Sequence, residues 1–146
     1  MKRLPLITTG TLLALVAMGA PGADPAGGVA RYDVTWDSPS RDSLGSMPLG
    51  NGETGLNVWV EQDGDLLFYI GRSDAFREDH RNVKLGRVRV HLEPNPFLKG
   101  LPFRQKLELE TGRILIDAGP KGQEAHLTLW VDANRPVARL QGRSSR

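Results

Sequence analysis

The chain has 146 residues and a formal net charge of +2; it is 39% hydrophobic and 25% charged and contains no cysteine. That length holds one domain at most, and the mixture of apolar and charged residues excludes a wholly disordered chain. The lack of cysteine excludes a disulfide framework, thiolate zinc ligation and a cysteine nucleophile, and once Lys2 and Arg3 are set aside the basic and acidic residues balance, which argues against non-specific nucleic-acid binding.

Lys2 and Arg3 are followed by a mostly apolar run from Leu4 to Met18 and then by the small residues Gly19, Ala20, Gly22 and Ala23. This is the pattern of a secretory signal peptide, expected over residues 1–23. The apolar run is shorter than the roughly 20 residues of a membrane span, and Pro5, Thr8, Thr9 and Gly10 interrupt it. A lipid-anchoring cysteine is absent. The expectation is an exported chain, periplasmic or extracellular, with no membrane attachment after cleavage. Residues 24–30 read as a linker, and residues 31–146 as the folded domain.

From there the apolar period is two. Tyr32, Val34 and Trp36 alternate with Asp33 and Thr35; Leu56, Val58 and Val60 alternate with Asn57 and Trp59. The same pattern runs through Val88 to Leu92, Phe103 to Leu109 and Ala125 to Val131, while Leu66 to Ile70 is apolar throughout and Arg113 to Asp117 is a weaker strand. Alternation puts one face on a core and the other in solvent, as antiparallel sheets do. Asp63-Gly64 and Thr111-Gly112 mark hairpins, Gly119 to Gly122 a break, and Asn134 and Pro136 precede a short strand from Val137 to Leu140. Asp74 to Arg81 has room for one helical turn. About eight strands joined by short turns predict an all-β antiparallel sandwich. The chain stops at Arg146 directly after a strand, which points to a domain truncated at its C-terminal end.

The charge is divided unevenly. Residues 24–80 hold 4 basic and 11 acidic residues, and residues 81–146 hold 13 and 6. The two halves attract each other if they pack together; a solvated surface of uneven sign is the plainer reading.

The stretches able to carry chemistry are few. Met47 to Gly55 (MPLGNGETG) contains Gly-x-Gly-x-x-Gly, but a strand opens at Leu56 where a dinucleotide fingerprint needs a helix. It reads as a tight turn, or as a loop whose backbone and Asn51 approach a ligand. Gly71 to His80 (GRSDAFREDH) places Arg72 and Asp74 at the end of a core strand, where polar side chains can line a pocket. Its acids could form the carboxylate pair that glycoside hydrolysis needs, but a solvated ion-pair loop is the plainer reading. The histidines, His80, His91 and His126, lack metal-ligand spacing except in the run Glu78-Asp79-His80, and no metal or cofactor is expected. Phe97 and Leu98, in a proline-rich loop, are expected to cover the sheet. Trp59 and Trp130 face away from the aliphatic rows; they are sugar-stacking platforms or, the favoured reading, core under a further layer.

Several stretches carry a family resemblance: WDSPS at Trp36, MPLGNG at Met47, DLLFYIGRSDAF at Asp65, KLGRVRVHLEPNPF at Lys84, LPFRQKLEL at Leu101 and LWVDANRPV at Leu129. Together they resemble the N-terminal part of a bacterial group, domain-of-unknown-function family 5703. Ser46 to Val60 is also similar to the N-terminal region of glycoside hydrolase family 95, the inverting α-L-fucosidase-like proteins. The resemblance implies a β-supersandwich of the galactose mutarotase type ahead of an (α/α)6 barrel that supplies the catalytic carboxylates. Neither the barrel nor any catalytic residue is expected in this chain. Asn51, Arg72 and Asp74 are the residues expected to face the domain junction and bind substrate.

Two readings follow: the accessory sandwich of an exported carbohydrate-active enzyme, with carbohydrate and the downstream barrel as partners, or a free-standing exported carbohydrate-binding or structural module.

Overall fold

The computed structural model describes residues 28–62 and 64–145. The predicted signal peptide and most of the linker lie outside them, as do Asp63 and Arg146. Nine strands are present among the described residues: β1 (Val34–Trp36), β2 (Met47–Gly50), β3 (Thr54–Val60), β4 (Leu66–Phe76), β5 (Asn82–Val90), β6 (Phe103–Glu108), β7 (Arg113–Ala118), β8 (Ala125–Val131) and β9 (Ala138–Ser144). They form a five-stranded sheet, β1-β6-β7-β8-β9, and a four-stranded sheet, β2-β3-β4-β5, and every pair within each sheet is antiparallel. The predicted all-β sandwich is therefore the fold observed.

The period-two alternation explains the layering. Met47, Leu49, Leu56, Val58, Val60, Leu66 and Phe68 from one sheet share a single buried cluster with Leu107, Ile114, Ile116, Leu127, Leu129 and Val131 from the other. Polar side chains enter this layer too: Gln105 is 1% exposed, and its amide donates to the Val58 carbonyl across the sheets at 3.3 Å, while Thr54, on the inward parity of β3, is also buried. Phe97 closes the layer from the β5–β6 loop and meets Phe103 edge-on, with 6.3 Å between ring centroids. Only Phe97 acts as the expected cover, because Leu98 is 53% exposed.

The elements differ from the sequence reading where edges and turns are concerned. Met47 to Gly50 is a strand rather than loop, and its register places Pro48 opposite Asn57. Proline is tolerated there because β2 is an edge strand with one side free of the ladder. The possible helical turn after Asp74 is instead the end of a long hairpin. β4 continues to Phe76, and a turn over Arg77–Arg81, with His80 at a φ of 60°, leads into β5. The linker ends in a 3-10 turn, Gly28–Tyr32, which keeps Tyr32 out of β1. The last strand runs to Ser144 rather than Leu140.

The tryptophans part company. Trp59 is buried, but outside the main cluster. It lies on the outer face of β3, where the Tyr69 ring packs against it. Trp130 is half-buried on the outer face of β8, and no further layer covers it among the described residues. Trp59 is therefore buried as expected, though under no further sheet among the described residues, and Trp130 is not.

The acidic and basic halves meet in ion pairs. Lys106 lies 2.8 Å from Asp33. At the β3–β4 turn, Asp65 accepts from Arg89 through one oxygen and lies 2.8 Å from His91 Nδ1 through the other. Glu61 and Glu93 add negative charge on either side, at 3.7 Å from Arg89 and 3.6 Å from His91. The hydrogen bond to Asp65 raises the His91 pKa, and the bond to His91, with the charge of Arg89, lowers that of Asp65. The His91 contribution to stability is complete below its ordinary value of 6.5 and is lost as pH rises through the raised folded value. The Asp65 contribution is present above 3.8 and is lost as pH falls through the lowered folded value. His91→Gln is therefore expected to lower the thermal midpoint more at pH 5.5 than at pH 8.5; an equal loss at both would show that the ion pair contributes nothing.

Candidate functional site

The three predicted site residues lie at one end of the sandwich, where the β2–β3 hairpin, the extended part of β4 and the β8–β9 loop converge. Asn51 is occupied in holding that end together. Its side-chain oxygen accepts the N–H groups of Glu53 and Thr54 at 3.0 and 2.8 Å, closing a turn on itself. Its amide donates across to the other sheet, to the carbonyls of Asp132 at 2.8 Å and Arg135 at 3.4 Å. The Asp132 carboxylate gathers Arg135, the Asn134 N–H and Arg139, which together hold its pKa down to about 2. A glycine precedes Asn51 for a steric reason: a Cβ on Gly50 would lie 2.8 Å from the Thr54 carbonyl oxygen.

Arg72 and Asp74 do come together. Nε and Nη2 of Arg72 donate to the two Asp74 oxygens at 2.9 Å each, and Nη2 also reaches Glu53 at 2.5 Å. The guanidinium lowers the Asp74 pKa and keeps that carboxyl ionised, so it is no proton donor near neutral pH. Asp79, the other acid with an assigned partner in this region, pairs with Arg81 at 2.9 Å. On this hairpin Asp74 and Asp79 are thus bound by separate arginines. No group of three or more metal-ligating side chains converges among the described residues.

A more accommodating surface lies beside this end, on the outer face of the four-stranded sheet. Register puts Gly50 opposite Gly55, Gly55 opposite Gly71 and Gly71 opposite Lys84. This row bears no side chain on three consecutive strands. It forms the floor of an open trough of about 500 Å³ whose walls include Pro48, Asn57, Tyr69, Asn82 and Lys84. Packing does not demand the two inner glycines. A Cβ on Gly71 would meet nothing within 4 Å, and one on Gly55 only the Leu49 carbonyl oxygen at 3.9 Å. Gly71 also stands at a register shift of the β4–β5 ladder, and strand glycines mark such irregularities or places where a ligand or another backbone approaches closely.

The walls are anchored. Tyr69 packs against buried Trp59, with ring centroids 5.0 Å apart, and Lys84 Nζ sits 3.8 Å from the Tyr69 centroid. Trp59 is itself fixed by a 3.2 Å bond from its Nε1 to Glu61. Asn82 donates to the Arg72 carbonyl at 3.2 Å, which ties the trough to the Arg72 cluster. Sequence reasoning reached the rim residues because they are charged and close to glycines. It missed the trough itself, because Gly71 and Tyr69 become its floor and wall only through a register that brings β2, β3 and β4 together. The alternation that exposes Asn57 was the one available signal.

Residues 35–146 match the family model DUF5703_N, described as a domain of unknown function (DUF5703). The chain belongs to this family. The match begins at β1 and covers both sheets, so the DUF5703 N-terminal domain includes the rim and the trough alike. No curated protein and no solved structure matches the chain.

Because Asn51 satisfies four groups at once, Asn51→Ala is expected to destabilise the fold by about 1–3 kcal/mol, the cost of leaving partly buried backbone groups unpaired. Urea denaturation reads this directly; an unchanged midpoint would show that solvent replaces the bonds.

Proposed function

We propose that this chain is the accessory sandwich domain of an exported, glycoside hydrolase-like protein, and that its trough holds part of a carbohydrate chain while catalysis occurs elsewhere in the parent protein. The observation that carries the reading is the glycine row Gly50–Gly55–Gly71 beside Tyr69. It combines a flat floor of exposed backbone with an anchored aromatic wall and the free side-chain amide of Asn57. Sugars present apolar ring faces edged by hydroxyls, and a site of that composition satisfies both.

The resemblance of Ser46 to Val60 to the N-terminal region of glycoside hydrolase family 95 supports the class of substrate. On this reading the sandwich belongs to a larger supersandwich that abuts an (α/α)6 barrel, and the barrel supplies the acid and base. The arrangement of Arg72 agrees with a non-catalytic role here. A glycosidase needs a carboxylic acid poised to protonate the leaving oxygen, whereas Glu53 and Asp74 share one guanidinium. Asn51, Arg72 and Asp74 then shape the end of the trough that faces the barrel, with Arg72 as the residue nearest the ligand. The apolar N-terminal run supports export, with cleavage near residue 23.

Gly71→Leu fills the trough from its floor without touching the buried layer. Wild-type chain is expected to be retarded in affinity gels containing a neutral polysaccharide, from a panel of dextran, galactan and a fucosylated glycan. Gly71→Leu should abolish that retardation, and Tyr69→Ala should weaken it at least tenfold, with thermal unfolding of Gly71→Leu unchanged. Retardation that survives Gly71→Leu, or its absence with every glycan, would sink the proposal.

A further inference from the structure

The outer face of the other sheet carries a separate set of groups. Trp130 lies there half-buried, in a shallow concavity shared with Arg113, His126, Thr128, Gln141 and Arg143. The registers place Arg113 opposite Trp130 and Trp130 opposite Arg139; Thr128 opposite Gln141; and His126 opposite Arg143. The Arg113 guanidinium carbon stands 5.7 Å from the Trp130 ring centroid. The centre of the face is thus an indole with one arginine over its ring, and a second arginine two rows away along β9.

The charges on this face do not cancel. Its acids are taken up: Asp117 lies 2.7 Å from His126 Nδ1, Glu108 accepts from the Thr111 hydroxyl and faces Lys106, and Asp132 holds Arg135 and Arg139. Arg104, Arg113 and Arg143 enter no ion pair among the described residues. Here the basic excess of residues 81–146 finds no acidic partner. From β-sheet spacings, Arg113 and Arg143 are roughly 16 Å apart on a diagonal that crosses Thr128, long enough for several sugar rings.

We propose that this face docks a uronate-rich polysaccharide, with a sugar ring lying on Trp130 and carboxylates held by Arg113 and Arg143. Three features select this occupant. The unpaired cations are all arginines, whose planar fork matches a carboxylate with two parallel hydrogen bonds. Between them stand a hydroxyl and a carboxamide, Thr128 and Gln141, suited to neutral sugar hydroxyls. There is one aromatic platform, whereas single-stranded nucleic acid is held by successive aromatics, one for each stacked base. The site lies on the opposite side of the sandwich from the trough, so it stands or falls independently of the function proposed above.

The test is binding of the full chain to polygalacturonate, measured by affinity electrophoresis and calorimetry at low and moderate salt. Wild type is expected to bind, and more weakly as salt rises. Arg113→Gln with Arg143→Gln should lose at least tenfold in affinity while keeping the wild-type melting temperature, because neither side chain has an ion-pair partner to lose. Trp130→Phe should lose less than the double variant, and Trp130→Ala more than Trp130→Phe. Gly71→Leu, which blocks the trough, should bind polygalacturonate like wild type. The proposal is overturned if wild type does not bind, if the double arginine variant binds equally well, or if dextran sulfate or a single-stranded oligonucleotide of matched charge binds as tightly as polygalacturonate.

Discussion

A single apolar layer between two sheets is the constraint from which the rest of this molecule follows. Without cysteine, the chain has no covalent cross-link, so its order rests on burying alternate residues of both sheets against each other. Each core strand is thereby bound to one register, since a slip of one residue would turn Ile114 and Ile116 outward and Leu115 inward. The layer also sets the length of polar chain that can enter it. Gln105 is accepted because its amide finds the Val58 carbonyl, and a buried amide without such a partner would oppose folding.

Polar residues outside that layer divide into two kinds. At the sandwich ends they are committed to structure: Asn51 ties the two sheets, Asp132 organises the β8–β9 loop, and Asp65 draws β5 and the β5–β6 segment onto the β3–β4 turn. On the outer faces several enter no ion pair among the described residues, notably Asn57, Lys84, Arg113 and Arg143, although Lys84 lies over Tyr69 and Arg113 over Trp130. Both faces also hold an aromatic ring fixed by neighbours, Tyr69 against Trp59 and Trp130 beside Arg113. The chemistry available to a ligand is therefore on the flat faces of the sheets, and the charged loops that dominate the sequence are mostly cross-braces.

Much of the fold was legible because strand alternation is a direct print of burial. Val58, Leu107, Ile114, Leu127 and Leu129 fall inward as their spacing requires. Edges were harder to read. β2 carries a proline and a glycine in four residues, and only its position at the margin of the sheet makes that a workable strand. The polar half of β4 lacks alternation because it projects beyond the core, where no apolar face is needed. Of the candidate site, the close pairing of Arg72 with Asp74 follows from their spacing of two along a strand. The engagement of Asn51 with Asp132 joins residues 81 positions apart, and local pattern holds no trace of it. Trp59 and Trp130 share the same outward parity, and their different burial follows from their neighbours, Tyr69 and Glu61 around the first and Arg113 beside the second.

The glycine row has a consequence for how such a domain diversifies. Gly55 and Gly71 point away from the buried layer and have open space before them, so changes of side-chain size there are invisible to the core. Most positions in a small protein couple folding to surface shape, and new recognition comes at the expense of stability. At these two positions the coupling is cut. Relatives can deepen, narrow or re-polarise the surface by single substitutions, each neutral for folding, and drift between ligands without passing through unstable intermediates.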